Sequence, residues 1–208
     1  MKKILIYGDS NTWGDNFCTG IRIPDDKQWV NILRKKLGDN FVIFQEGLPG
    51  RLAGNEEKEK TFKNGKDTFI STFRSNAPLD TLIIALGSND LQIKYSKKSK
   101  KIIEDLLWYK NILEEMYEDD EDKIKYFNNK FPRIIFILPP NFDYLDKASI
   151  VFNIDSENKR KDIINYFSKT NFEYLVFNDM ILFDDGLHFN YNDHNKVAEK
   201  LYEVLKNE

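Results

Sequence analysis

The stretch KKILIYGDSNTWG (residues 2–14) opens on a short apolar run and breaks off at Gly8 into a turn of Asp9, Ser10 and Asn11. An apolar run of this length, closed by glycine and lacking polar alternation, reads as a strand buried on both faces. Four more stretches have the same form: FVIFQE (41–46), LDTLIIALGSND (79–90), RIIFILPP (133–140) and YLVFND (174–179). Between them the apolar period changes to that of a helix. PDDKQWVNILRKKLG (24–38) repeats Trp29, Leu33 and Leu37 at every fourth position, offers Asp25 and Asp26 as N-caps and stops at Gly38. Further helices are predicted near 67–76, across 100–130 with Ile102, Leu106, Tyr109, Leu113 and Met116 on one face, over 157–169, and from about 192 with Val197, Leu201 and Leu205 inward. The acidic run Glu118 to Asp122 is expected to interrupt the second of these. Apolar strands separated by amphipathic helices predict an α/β class: a three-layer α/β/α sandwich around a parallel, flavodoxin-like sheet of about five strands, with residues 1–208 forming a single domain.

Composition narrows the function. Hydrophobic residues make up 41% of the 208 and aromatics 14%, enough for a packed core rather than a disordered chain. Lys and Arg number 31 against 34 Asp and Glu, spread along the chain, which argues against nucleic acid or an anionic membrane as the main partner. The start, MKKILIYGDS, is too short in its apolar part for a signal peptide. No run reaches the roughly 18 to 20 apolar residues of a membrane span. Cys18 is the one cysteine, so no internal disulfide forms. These features lead us to expect a soluble, cytoplasmic protein; its oligomeric state is left open.

Open parallel sheets bind ligands at the carboxyl ends of their strands. After the first predicted strand stands Gly8-Asp9-Ser10-Asn11, after the second Gly47-Leu48-Pro49-Gly50-Arg51, after the third Gly87-Ser88-Asn89-Asp90, and after the fifth Asp184-Asp185-Gly186-Leu187-His188. Nucleophilic acyl chemistry needs a hydroxyl, a base, a carboxylate to orient the base and donors for the oxyanion. Ser10 supplies the hydroxyl, His188 the base and Asp185 the carboxylate, folding back across Gly186. The Ser10 amide, the Gly50 amide and the Asn89 carboxamide are candidate donors. Each piece alone is also ordinary capping or turn chemistry. Four independent turns have no reason to supply a complete catalytic set on one rim.

The blocks GDSN, GLPGR, GSND and DGLH, in this order and each after its strand, resemble the four signature blocks of the SGNH (GDSL-type) hydrolase superfamily. GDSNTWG and EGLPGR are most similar to the branch of arylesterases and acyl-CoA thioesterase-like proteins. The resemblance covers the chain from Ile4 to the final helix. It implies the SGNH hydrolase fold, Ser10 as nucleophile, His188 and Asp185 as the base pair, and Ser10, Gly50 and Asn89 as the oxyanion hole. It implies no metal and no organic cofactor. Glu46, Leu52 and Phe189 depart from residues common in the family, which bears on substrate preference rather than on catalysis.

The resulting expectation is a serine esterase acting on small carboxylic esters, acetyl esters or acyl thioesters. An acyltransferase using the same site, or a non-catalytic module that binds an acylated ligand, are the other readings. Trp13 and Arg51 are candidate substrate-pocket residues, with Arg51 alternatively paired to Glu46, and Phe17, Ile21 and Ile23 could join the pocket. Asp184 reads as a turn acid and His194 as a structural histidine. The long loop 47–65 is of a length usually found in functional or mobile segments.

Overall fold

A computed structural model describes residues 1–54 and 62–207. Residues 55–61, the middle of the long loop, lie outside the described residues. Among those described, five parallel strands form one sheet: β1 (Lys2–Gly8), β2 (Phe41–Gly47), β3 (Thr81–Ala85), β4 (Arg133–Ile137) and β5 (Glu173–Leu175), in the order β2-β1-β3-β4-β5. This is the flavodoxin-like order, and its direction reverses between β1 and β3. The crevice at the carboxyl ends of those two strands is therefore where such a sheet binds its ligand.

Alternate residues of each central strand enter different cores. Leu5, Tyr7, Leu82, Ile84 and Phe136 pack under α3 (Gly65–Asn76), α4 (Ser99–Glu118) and α6 (Ile154–Phe167). Ile4, Ile6, Ile83 and Ile135 pack under α2 (Trp29–Leu37) and α7 (Tyr191–Leu205). Both faces are covered, which is why the strands read as continuous apolar runs. The anticipated break in the long helical segment falls at Asp119, whose extended backbone ends α4 and whose carboxylate accepts from the Asp122 amide at 2.9 Å to start α5 (Asp120–Phe127).

Two expectations are corrected. The helix read over 24–38 begins only at Trp29, because Asp25–Lys27 form a separate 3-10 turn in which Asp25 accepts from the Gln28 carboxamide instead of capping α2. The orphan Trp29 amide is satisfied from across the fold by Nδ1 of His194 at 3.1 Å, a cap no local pattern encodes. The fifth strand stops at Leu175 rather than running to 179.

Candidate active site

Ser10 opens α1 (Ser10–Trp13), a single turn entered directly from β1 through Asp9. The turn sits tight on the sheet end: a Cβ on Gly47 would lie 2.4 Å from the Trp13 nitrogen, so only glycine lets β2 finish there. Asp9 caps the turn by accepting from the Asn11 amide at 3.0 Å. Burial drives the Asp9 carboxyl up to about 6, against that hydrogen bond and the pull of His188 and Arg51.

His188 arrives from the other end of the chain. Its Nε2 lies 3.0 Å from Ser10 Oγ and its Nδ1 2.5 Å from Asp185 Oδ2. The other Asp185 oxygen accepts the Leu187 and His188 amides at 3.1 and 3.0 Å, folding the loop around Gly186, whose φ of 66° suits glycine. With Oδ1 spent on the backbone, Oδ2 is aimed at the ring. Burial works against a charged imidazole, but the hydrogen bond and charge of Asp185, with Asp15 and Asp9 behind, hold the His188 pKa above its ordinary 6.5. Asp185 is held below its usual range: burial opposes ionisation, and the bonds from the His188 side chain and amide outweigh it.

Two anchors fix this loop relative to Ser10. Asn11 Oδ1 accepts the Phe189 amide at 2.9 Å, tying the residue after Ser10 to the residue after His188. Asp193, in the first turn of α7, accepts the Ile181 and Leu182 amides at 2.9 and 2.7 Å. From sequence Asn11 reads as a turn residue. The signal it offered, a buriable amide beside the serine, is too common to single out.

Asn89 lies in the 3-10 turn Asn89–Leu91 after β3, with Nδ2 donating to the Arg51 carbonyl at 3.1 Å and Oδ1 accepting from Gln92 at 2.8 Å. Its carboxamide is thereby oriented with the nitrogen toward the loop that carries Gly50, and one N–H remains for another acceptor. The segment behind Gly50 is bonded throughout: Ala53 donates to Asp90 at 2.8 Å and accepts from the Tyr109 hydroxyl at 2.7 Å, and Gly54 accepts from Lys97. Lys97 in turn bridges Asp90 and Asp105 at 2.7 and 3.1 Å.

Arg51 turns inward and does not pair with the Glu46 carboxylate. Its side chain is buried, with the guanidinium 4.0 Å from the Tyr7 ring centroid and Nη1 donating to the Gly8 and Glu46 carbonyls. The Gly8 carbonyl also accepts the Leu48 amide at 3.1 Å, and one long, multiply donating cation reaches it and the Glu46 carbonyl together. Trp13 is half-buried, its carbonyl accepting from Arg22 Nε at 2.6 Å and its ring lying under the Arg22 guanidinium. Ile23 is buried, whereas Phe17 and Ile21 are exposed on the short hairpin Asp15–Asn16 with Ile21–Arg22. Asp184 is exposed and pairs with Lys147, leaving Asp185 as the carboxylate on His188. Buried His194 is neutral, its pKa lowered to about 3 by burial and by His188.

Hydroxyl, imidazole and carboxylate thus form one hydrogen-bonded relay that can carry a proton off Ser10 Oγ. Among the described residues no group of side chains is suited to hold a metal ion, and no helix is long and apolar enough to cross a membrane.

No protein-family model matches the chain, and no curated protein sequence matches it. Solved structures do. The native aryl esterase of M. smegmatis superposes with a TM-score of 0.82 at 22% identity, covering 100% of this chain and 99% of that one. A carbohydrate acetylesterase from Sinorhizobium meliloti gives 0.78 at 21% identity over 99% and 98%. A lipase/acylhydrolase from Enterococcus faecalis gives 0.67 at 18% over 100% and 96%. The chain has the fold of these hydrolases, the SGNH hydrolase fold that the four blocks led us to expect.

Proposed function

We propose that this protein is a serine esterase of the SGNH type, hydrolysing small carboxylic esters through an acyl-serine intermediate. The observation that carries the reading is the relay from Ser10 Oγ through both nitrogens of His188 to Asp185, at 3.0 and 2.5 Å. The shared fold with esterases supports it.

In this mechanism Ser10 Oγ bonds to the ester carbonyl carbon as its proton passes to His188 Nε2. The imidazolium is stabilised by Asp185, which stays ionised. The negative charge on the carbonyl oxygen is met by the amides of Ser10 and Gly50 and by the free N–H of Asn89. Collapse breaks the bond to the alcohol oxygen, which takes the proton from Nε2. Water then repeats the sequence on the acyl-serine, releasing the acid and restoring Ser10. Asn89→Ala removes one oxyanion donor and is expected to lower kcat about 100- to 1,000-fold with KM little changed, read from initial rates.

His188 must be neutral to accept the proton. Because its pKa is raised, kcat/KM is expected to climb with pH through a midpoint above 6.5, later than an unperturbed imidazole would give. A pH–rate profile that is flat from 5.5 to 8.5, or that falls, contradicts this assignment of the base (a range of about three units around the ordinary imidazole value).

The direct test is release of p-nitrophenol from the acetate, butyrate and octanoate esters, with mass spectrometry of acid-quenched enzyme for the acyl group on the Ser10 peptide. Turnover with acylated Ser10 is the expected result. A folded protein that neither releases product nor becomes acylated overturns the reading.

A further inference from the structure

Among the described residues, His188 meets a carboxylate on each side of its ring. Asp185 faces Nδ1, and Asp15 Oδ2 lies 4.0 Å from Nε2, the nitrogen that also faces Ser10. The backbone fixes this second carboxylate. Gly14, left-handed with φ of 88°, turns the chain out of α1, and the Ile23 amide closes on the Gly14 carbonyl at 2.8 Å. Asp15 is thereby held in the hairpin, two residues past the turn that carries the nucleophile. Its cross-strand neighbour Arg22 donates to the Trp13 carbonyl and lies over the Trp13 ring, and among the described residues forms no ion pair with Asp15. The Asp15 side chain keeps 25% of its surface open.

The alcohol oxygen of an ester must come within hydrogen-bond reach of Nε2 to be protonated as it leaves. Whatever that alcohol carries near its oxygen then passes within a few ångströms of Asp15. We propose that Asp15 selects the charge of the leaving alcohol, so that the site takes esters of cationic alcohols and turns away those of anionic ones. The inference rests on the esterase reading and adds a substrate class to it. Asp9 and Asp185 add to the negative potential, but Asp9 is enclosed and Asp185 is screened by the ring itself. Asp15 is the acid that a leaving group meets.

The experiment uses three matched acetates: 3-(trimethylammonio)phenyl, its uncharged shape-mimic 3-tert-butylphenyl, and 3-carboxyphenyl. Each is measured with the wild-type protein, Asp15→Asn and the charge-reversed Asp15→Lys, all checked for cooperative thermal unfolding. Intrinsic leaving-group reactivity and any effect of the variants on His188 are common factors that cancel in the cation-to-anion ratio of kcat/KM between proteins. That ratio is expected to fall roughly tenfold or more in Asp15→Asn, to fall further in Asp15→Lys, and to shrink with added salt in the wild type. Turnover of all three esters with a ratio that moves less than twofold in both variants overturns the inference alone. Absence of turnover on every ester, the neutral one included, overturns the esterase reading and the inference with it.

Discussion

Ser10→Ala is expected to reduce kcat on p-nitrophenyl esters by about four to six orders of magnitude while leaving the protein folded. The hydroxyl is the only atom removed, and the partner it leaves, His188 Nε2, keeps Asp15 at 4.0 Å and Asp185 on its far nitrogen. The lost hydrogen bond is worth about 1 kcal/mol at most sites, so the melting temperature should move by no more than about 4 °C in a chain of this size. Residues that act as one unit are not additive. His188→Ala should therefore cost a similar factor, and the double variant little more than either single one. A Ser10→Ala protein that keeps a tenth of the wild-type rate, or a double variant whose losses multiply, would place the nucleophile elsewhere. The measurement is kcat for the three proteins on one ester, with circular dichroism melts alongside.

The second large effect lies beneath the Gly50 loop. Lys97 is almost enclosed and joins Asp90, Asp105 and the Gly54 carbonyl. Burial favours its neutral form, but the two carboxylates outweigh this and hold its pKa above the ordinary lysine value. Asp105 also has Lys66 at 2.6 Å and Lys101 at 3.4 Å, whereas the only ion pair of Asp90 among the described residues is with Lys97. Lys97→Met therefore strands Asp90, whose carboxyl burial already pushes up. Breaking a buried pair from one side typically costs about 3–5 kcal/mol, which for a domain of this size is a drop of roughly 10 °C in Tm.

The sign of the pH dependence follows. In the variant the folded pKa of Asp90 rises further above the unfolded value, so the deficit is full above that pKa and narrows as acid protonates the carboxyl. Adding Asp90→Asn removes the stranded charge and should recover a good part of the loss. If the double variant is no more stable than Lys97→Met across pH 5 to 8 (about the usual range of maximal stability), an unpaired anion is not the cause. The same loop carries the proposed oxyanion donor, so kcat should fall in Lys97→Met and recover in part alongside stability.

The elements legible in the sequence were those written in neighbouring residues. The helix break was visible because Asp119 caps α5 through an amide only three positions away. The Asp185–His188 pair was visible because the two stand three positions apart with a glycine between them. The short fifth strand and the late start of α2 were misjudged because their limits are set by partners elsewhere: Leu175 by the edge of the sheet beside β4, and Trp29 by His194, 165 residues on.

Periodicity and turn chemistry, both local, by themselves determined the α/β layering, the strand ends that face the site, and the identity of Ser10, Asn89, Asp185 and His188 as its candidates. Tertiary structure alone decided that Arg51 turns inward to hold Gly8 and Glu46, that Asn11 ties the serine turn to the histidine loop, and that Asp15 stands at Nε2. The last two join residues far apart in the chain, and which buried donor meets which acceptor, or where a carboxylate keeps its charge, is set by packing and local dielectric rather than by any pattern along the sequence.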